Sequence, residues 1–200
     1  EMSTLAIDYA ESFLGKLPDM NTFEPDKGRN KLLEQAFGEQ AEDLPGLLEI
    51  LDTAVIHEGI NAASGGHMGY IPGGGIYPSS LGDFLADVTN RYSGVSFASP
   101  GAARMERQLV RWMTDLVGYP ASSGGDLTSG GSMANLTAIV TARETMAIRS
   151  RDVENSCVYI TADTHHCIDK ALRAAGLAEC QRRLVPMDDR FRMDLPTLQK

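Results

Sequence analysis

Apolar positions change their period several times along this chain, and each change marks a new element. Leu5, Tyr9, Phe13 and Leu14 recur at helical intervals and predict a helix over the first 20 residues. Pro18 to Gly28 reads as a linker, broken by Pro25. Leu47, Ile50, Leu51, Ala54 and Val55 return to helical spacing over 46–60. Residues 64–79 lose all period and are rich in Gly, Pro and Ser, which predicts an irregular loop of a length that is often functional. Within it, Gly73-Gly74-Gly75 reads as a flexible connection, with a mobile flap as the alternative. Helices follow over 81–92 (Leu81, Phe84, Leu85, Val88) and 104–117 (Leu109, Trp112, Met113, Leu116, Val117). Gly118 and Pro120 stop the second of these.

A further helix is expected from Met133 to about Arg149, burying Leu136, Ile139 and Val140. Cys157-Val158-Tyr159-Ile160 predicts a strand, 167–175 a helix ending near Gly176, and Leu184-Val185 a second short strand. Turn, helix, strand, helix, strand in that order predicts an α/β architecture with a largely parallel sheet. Asp194 reads as an N-cap, with Pro196 tolerated in a first turn, yet the sequence stops at Lys200, about one turn into that helix. Two strands make a poor sheet by themselves, so the expectation is the N-terminal piece of a larger domain.

Composition narrows the class. The chain has 200 residues, is 42% hydrophobic and 22% charged, and carries a net charge of −9, which fits a packed core and argues against a nucleic-acid partner. Cys157, Cys167 and Cys180 are odd in number and lack zinc spacing, which favours a reducing compartment. Neither a signal peptide nor a run long enough to cross a bilayer stands out, so a cytoplasmic protein is the default expectation, with no membrane partner.

The most informative stretch is Ser129-Gly130-Gly131-Ser132, followed at once by helix periodicity. Glycines free the turn of side-chain bulk, and a helix start offers unpaired N–H groups and the positive end of a dipole, a combination suited to phosphate. The alternative is a plain tight turn with Ser132 as N-cap. It lacks the Gly-Lys-Ser/Thr of a P-loop and the spacing of the dinucleotide fingerprint. His165 and His166 lie just beyond the predicted strand 157–160, where ligands gather in open α/β sheets. Such a histidine stacks on a planar ring or moves protons, or else is an exposed loop residue. No metal-ligand pattern is completed by Asp163 or Cys167. Trp112 reads as core or interface, and Asn135 as a structural hydrogen-bonding residue in a first helical turn.

Four segments together resemble the pyridoxal-phosphate-dependent group II amino-acid decarboxylases, the family of aromatic amino-acid and glutamate decarboxylases. They are Gly69-Tyr70-Ile71-Pro72 with Leu81-Gly82-Asp83; Ser99-Pro100 with Met105-Glu106 and Trp112; Leu127 to Leu136; and His165 followed by Lys170-Ala171. The likeness runs over roughly 45–200, and the Gly-Gly-Ser segment is the most specific part of it. It implies part of the large domain of a fold-type-I enzyme (aspartate-aminotransferase-like) over 46–200, preceded by a helical extension over 1–45.

The resemblance also implies pyridoxal 5'-phosphate as cofactor, its phosphate held at Gly131 and Ser132 and its ring stacked on His165 rather than His166. Tyr70, Ile71 and Pro72 match part of the substrate-pocket wall. Ser64-Gly65-Gly66-His67 stands where the family usually places a His-Pro pair, a departure in the pocket. The implied reaction is decarboxylation of an amino acid, with aromatic ones as a candidate class, by a homodimer. Other reactions on the same cofactor (carbon–carbon cleavage, transamination), a non-catalytic scaffold module and a nucleotide-phosphate binder are the alternatives. The family's Schiff-base lysine lies later in the sequence; Lys16, Lys27, Lys31, Lys170 and Lys200 do not match its motif, so the 200 residues alone are expected to be inactive.

Overall fold

The structure, a computed structural model, describes residues 2–28, 33 and 38–199. Lys31 and Lys200 therefore lie outside the described residues. The chain divides into two units, Glu1–Arg91 and Tyr92–Lys200.

In the N-terminal unit, α1 (Met2–Lys16) runs into a 3-10 turn at Leu17–Asp19. The expected linker contains a strand. Here β1 (Phe23–Glu24) pairs antiparallel with β2 (Gly59–Ile60), Phe23 opposite Ile60. Two residues carry no period, so the pattern gives no sign of them. Helix α2 (Leu44–Ile50) starts where the Asp43 side chain accepts the Gly46 N–H at 2.9 Å, with Pro45 in the first turn, where its missing donor costs nothing. A π-helical turn, Leu51–Ile56, continues it, so the helix expected to reach residue 60 gives way to β2.

Tyr9 donates its hydroxyl to Asp52 Oδ1 at 3.1 Å, and His57 Nε2 lies 3.3 Å from Asp52 Oδ2, so one carboxylate joins α1 to the π-helical turn. Burial, the hydrogen bond to Asp52 and the Asp52 charge together push the Tyr9 hydroxyl up to about 12.

The irregular loop expected over 64–79 runs over 61–76, and it is pinned rather than loose. Asn61 N–H donates to Thr22 O at 2.8 Å, and the buried Ser64 hydroxyl donates to Met20 O at 3.0 Å. A methyl group at Gly74 would come within 3.1 Å of Ala63 Cα, so the central glycine of the triplet is a packing position where the loop folds back on itself. Helix α3 (Tyr77–Thr89) begins four residues before the expected start and ends at Asn90, whose φ of 40° is left-handed. Leu81, Phe84, Leu85 and Val88 share the predicted face, yet all four are exposed.

The C-terminal unit opens with α4 (Pro100–Leu116), started by Pro100 and followed by Gly118 at φ 75°. Its buried residues are Ala103 and Thr114. Trp112 is 60% exposed, so it is not a core residue of this unit. Helical period tells which side chains share a stripe, not what that stripe meets. After α5 (Gly131–Thr145) come a 3-10 turn (Ser150–Asn155), β3 (Cys157–Ile160), α6 (Cys167–Ala174), β4 (Gln181–Leu184) and α7 (Leu195–Leu198). β3 and β4 pair in parallel, Cys157 opposite Gln181 and Ile160 opposite Leu184, with α6 as the crossover that parallel strands require.

Val153, Leu172, Ala175, Leu177 and Cys180 form the buried cluster, flanked by Leu136 and Ile139 of α5 and Val158 of β3. Val140, expected to be buried, is 40% exposed because it lies about 100° round the helix from Ile139. Gly176 closes α6 at φ 69°, with its N–H on Arg173 O at 3.0 Å and the Leu177 N–H on Leu172 O at 2.8 Å.

Two side chains of α5 reach across to α6. Asn135 Nδ2 donates to Cys167 Sγ at 3.4 Å, and Arg143 Nη1 donates to the Ala175 carbonyl. Eight residues separate the pins on each helix, so α5 and α6 lie side by side, run in the same direction, and are tied at points about 12 Å apart.

Candidate functional site

The site grows from the start of α5. Gly130, at φ 157° and ψ 168°, is the N-cap, and Gly131 and Ser132 are the first two helical residues. The helix thus begins two residues before the expected Met133, and Ser132 lies inside it rather than capping it. Met133 and Ala134 N–H both donate to Gly130 O at 3.1 Å, and the Thr128 hydroxyl donates to the same carbonyl at 3.1 Å. Those bonds hold the turn. Among the described residues they leave the N–H groups of Gly131 and Ser132, and the Ser132 hydroxyl, without a partner. Gly131 and Ser132 are exposed, and an added Cβ at Gly131 would meet nothing within 4 Å.

His165 comes from the turn after β3. Thr161 N–H donates to Thr164 Oγ1 at 2.9 Å and Thr164 N–H to Thr161 O at 3.1 Å, which closes that turn and delivers the chain to α6. The imidazole is exposed, and its Nδ1 accepts the Cys167 N–H at 3.2 Å. An accepting Nδ1 puts the neutral ring's proton on Nε2. His166 is the N-cap of α6; its ring centroid lies 4.1 Å from that of His165, tilted by 36°, and its ring makes no hydrogen bond among the described residues. Of the two histidines, His165 has the ring held by the backbone.

The Asn135–Cys167 contact brings the two parts of the site together: Asn135 stands one turn after Ser132, and Cys167 two residues after His165. Sequence alone marked Asn135 as a hydrogen-bonding residue but gave no partner, because 32 residues separate it from Cys167.

Tyr70, Ile71 and Pro72 belong to the N-terminal unit, on the loop 61–76. Tyr70 and Ile71 are almost fully exposed, and Tyr70 has a left-handed φ of 64°. That conformation is costly for an aromatic residue. The His67 ring stacks on Tyr70 at 6.4 Å, and its buried Nε2 has no partner among the described residues. His67 carries no signal in the sequence beyond its place in the departure from the family's His-Pro pair. No group of three or more His, Cys, Asp or Glu among the described residues is arranged to hold a metal ion, and none of the helices searched is long and apolar enough to cross a membrane.

This arrangement is part of the fold of the fold-type-I pyridoxal-phosphate enzymes. The Oryza sativa protein TDC, solved with PLP and tryptamine, superposes with a TM-score of 0.86 at 22% identity, over 98% of this chain and 44% of that one. A glutamate decarboxylase domain from Vibrio parahaemolyticus superposes with a TM-score of 0.84 at 15% identity, over 99% of this chain and 46% of that one.

Residues 25–200 match the pyridoxal-dependent decarboxylase conserved domain, and the chain belongs to that family. It is 33% identical over 196 residues to an aromatic-L-amino-acid decarboxylase of Bacillus atrophaeus, covering 98% of this chain and 40% of that protein. It is 28% identical over 151 residues to the histidine decarboxylase of Homo sapiens, covering 66% of this chain and 22% of that protein. The chain therefore spans less than half the length of these relatives.

The cofactor of the family is pyridoxal phosphate, and the residues present fit it in two respects. Three donors at the mouth of α5, without partners among the described residues, match a phosphate dianion, and an exposed imidazole with a fixed Nδ1 offers a flat face for a pyridine ring.

Proposed function

We propose that this chain supplies the phosphate grip and the ring-stacking histidine of a pyridoxal-phosphate-dependent decarboxylase that converts an amino acid to its amine and CO2. Residues 46–200 form the N-terminal part of the cofactor-binding large domain and residues 1–45 a helical extension. The whole protein works as a cytoplasmic homodimer. The observation that carries this proposal is the trio of free donors on Gly131 and Ser132, tied through Asn135 and Cys167 to His165 in a chain of this family.

Bound pyridoxal phosphate acts as an electron sink for the pair of electrons left when CO2 departs. The chain's own residues bind and orient. The Gly131 and Ser132 N–H groups and the Ser132 hydroxyl hold the phosphate without reorganising, since the turn is already fixed by Gly130 and Thr128. His165 presents its ring face, its edge held by the Cys167 N–H on Nδ1, which leaves the neutral ring's proton on Nε2. The resemblance to the family assigns Tyr70, Ile71 and Pro72 to the wall around the substrate side chain, and the departure at Ser64 to His67 bears on substrate choice. The Schiff-base lysine comes from outside these 200 residues.

Relatives named for aromatic amino acids, histidine and 2,4-diaminobutyrate define the first substrates to try. The purified whole protein, given each amino acid in turn, is expected to release CO2 and the matching amine in equal amounts. A keto acid without CO2, or cleavage of a carbon–carbon bond other than that to the carboxylate, would show a different reaction on the same scaffold.

A further inference from the structure

We infer that Asn135 and Cys167 are positioning residues of the cofactor site, and that the bond between them sets the phosphate grip and the stacking ring in register. The inference rests on the site proposed above. Four contacts run in an unbroken line. Gly130 O holds the first turn of α5, on which Ser132 and Asn135 stand one turn apart. Asn135 Nδ2 donates to Cys167 Sγ at 3.4 Å. Cys167 N–H donates to His165 Nδ1 at 3.2 Å. Thr161 and Thr164 close the turn that brings His165 from β3.

Asn135 is a poor choice for packing alone. Asparagine is a weak helix former, and an aliphatic residue at 135 would fill a helix–helix contact as well. Cys167 is 6% exposed, and its thiol has Asn135 as its hydrogen-bond donor. Cys167 therefore faces both ways: its side chain takes the load from α5, and its backbone N–H fixes the imidazole. Arg143, the other pin between the two helices, does a different job. It holds the Ala175 carbonyl about 12 Å further along, at the end remote from Ser132 and His165. Loss of the Arg143 pin weakens the helix pair; loss of the Asn135 pin lets the helix that carries the phosphate grip shift against the loop that carries the ring.

The test uses the whole holoenzyme and reads the visible-region circular dichroism of the bound cofactor at full occupancy, a signal that follows ring orientation rather than global stability. Asn135→Leu and Cys167→Ala are each expected to change that signal by about twofold or more, and the double variant no further than either single, as expected of residues acting as one unit. Cys167→Ser, which keeps an acceptor for Asn135, restores it. Arg143→Met lowers the melting temperature and leaves the signal alone. In a His165→Ala background, Asn135→Leu adds nothing.

The inference is overturned if folded Asn135→Leu keeps the wild-type signal, or if its effect persists undiminished without His165. Should Ser132→Ala and His165→Ala themselves leave cofactor content and signal untouched, the site assignment fails with it. If those two respond and Asn135→Leu does not, the positioning role alone is lost.

Discussion

Replacing Ser132 by Ala separates binding from folding at one atom. The Ser132 hydroxyl has no partner among the described residues, and the residue is exposed, so its removal takes nothing from the fold. Unfolding free energy of the cofactor-free protein should stay within about 0.5 kcal/mol of wild type. Binding is a different matter. The hydroxyl is one of three donors at the α5 turn without a partner among the described residues, and the two backbone N–H groups survive the substitution. A hydrogen bond to a charged group contributes about 1.5–3 kcal/mol, and the exposed position argues for the lower end, which is about a tenfold weaker cofactor Kd.

Ser132→Asp places a carboxylate beside the dianion and should weaken binding by about a further order of magnitude, more at low salt than at high. The assay is titration of the cofactor-free whole protein with pyridoxal phosphate, followed by absorbance, next to urea unfolding of the same samples. Equal Kd values for wild type, Ser132→Ala and Ser132→Asp would refute the placement of the phosphate. Equal losses in Kd and in cofactor-free stability would show that Ser132 is structural.

Three more outcomes follow from the geometry. His165→Ala should alter the absorption of the bound cofactor more than His166→Ala does, because only the His165 ring is held by a backbone donor; the reverse order in paired spectra would assign the stacking role to His166. Leu172→Ala removes a side chain that is 1% exposed at the centre of the α5–α6–β3 core and should cost about 2–5 kcal/mol in urea unfolding, so a loss below about 1 kcal/mol would mean that this core is not where stability resides.

Tyr9, held up at about 12 by burial and Asp52, favours the folded state while it is protonated. Its stabilisation is whole below the ordinary value of 10.0 and fades as pH climbs towards about 12. The stability gap between wild type and Tyr9→Phe should thus hold steady from neutral pH to about 10 and shrink above it; a gap that ignores alkaline pH would count against the Tyr9–Asp52 bond.

What the sequence discloses depends on the distance over which a contact acts. β3 is legible to the residue, since four β-prone positions between polar flanks need no partner to be seen. The α5 turn is legible because Gly-Gly-Ser before a helix is local chemistry. Its finer geometry is not, and the helix start at Gly131 moves Ser132 from cap to first turn. β1 and β2 escape notice because each is two residues long and is defined by the other, 36 positions away. The pairing of α5 with α6 escapes for the same reason: Asn135–Cys167 and Arg143–Ala175 each join residues 32 apart, and nothing in either local pattern announces the other. Periodicity found the apolar stripes of α3 and α4 correctly and said nothing of their exposure.

Because α5 and α6 are co-directional, with the start of α6 level with Asn135, about one turn into α5, their peptide dipoles add instead of cancelling. Both amino ends point towards the same corner of the unit, and each brings roughly half a positive elementary charge. In a chain with a net charge of −9, with Asp169 in the first turn of α6, those amino ends supply a positive contribution for a dianion that does not depend on side chains. That attraction is written in backbone orientation, so it survives exchange of any single surface lysine or arginine.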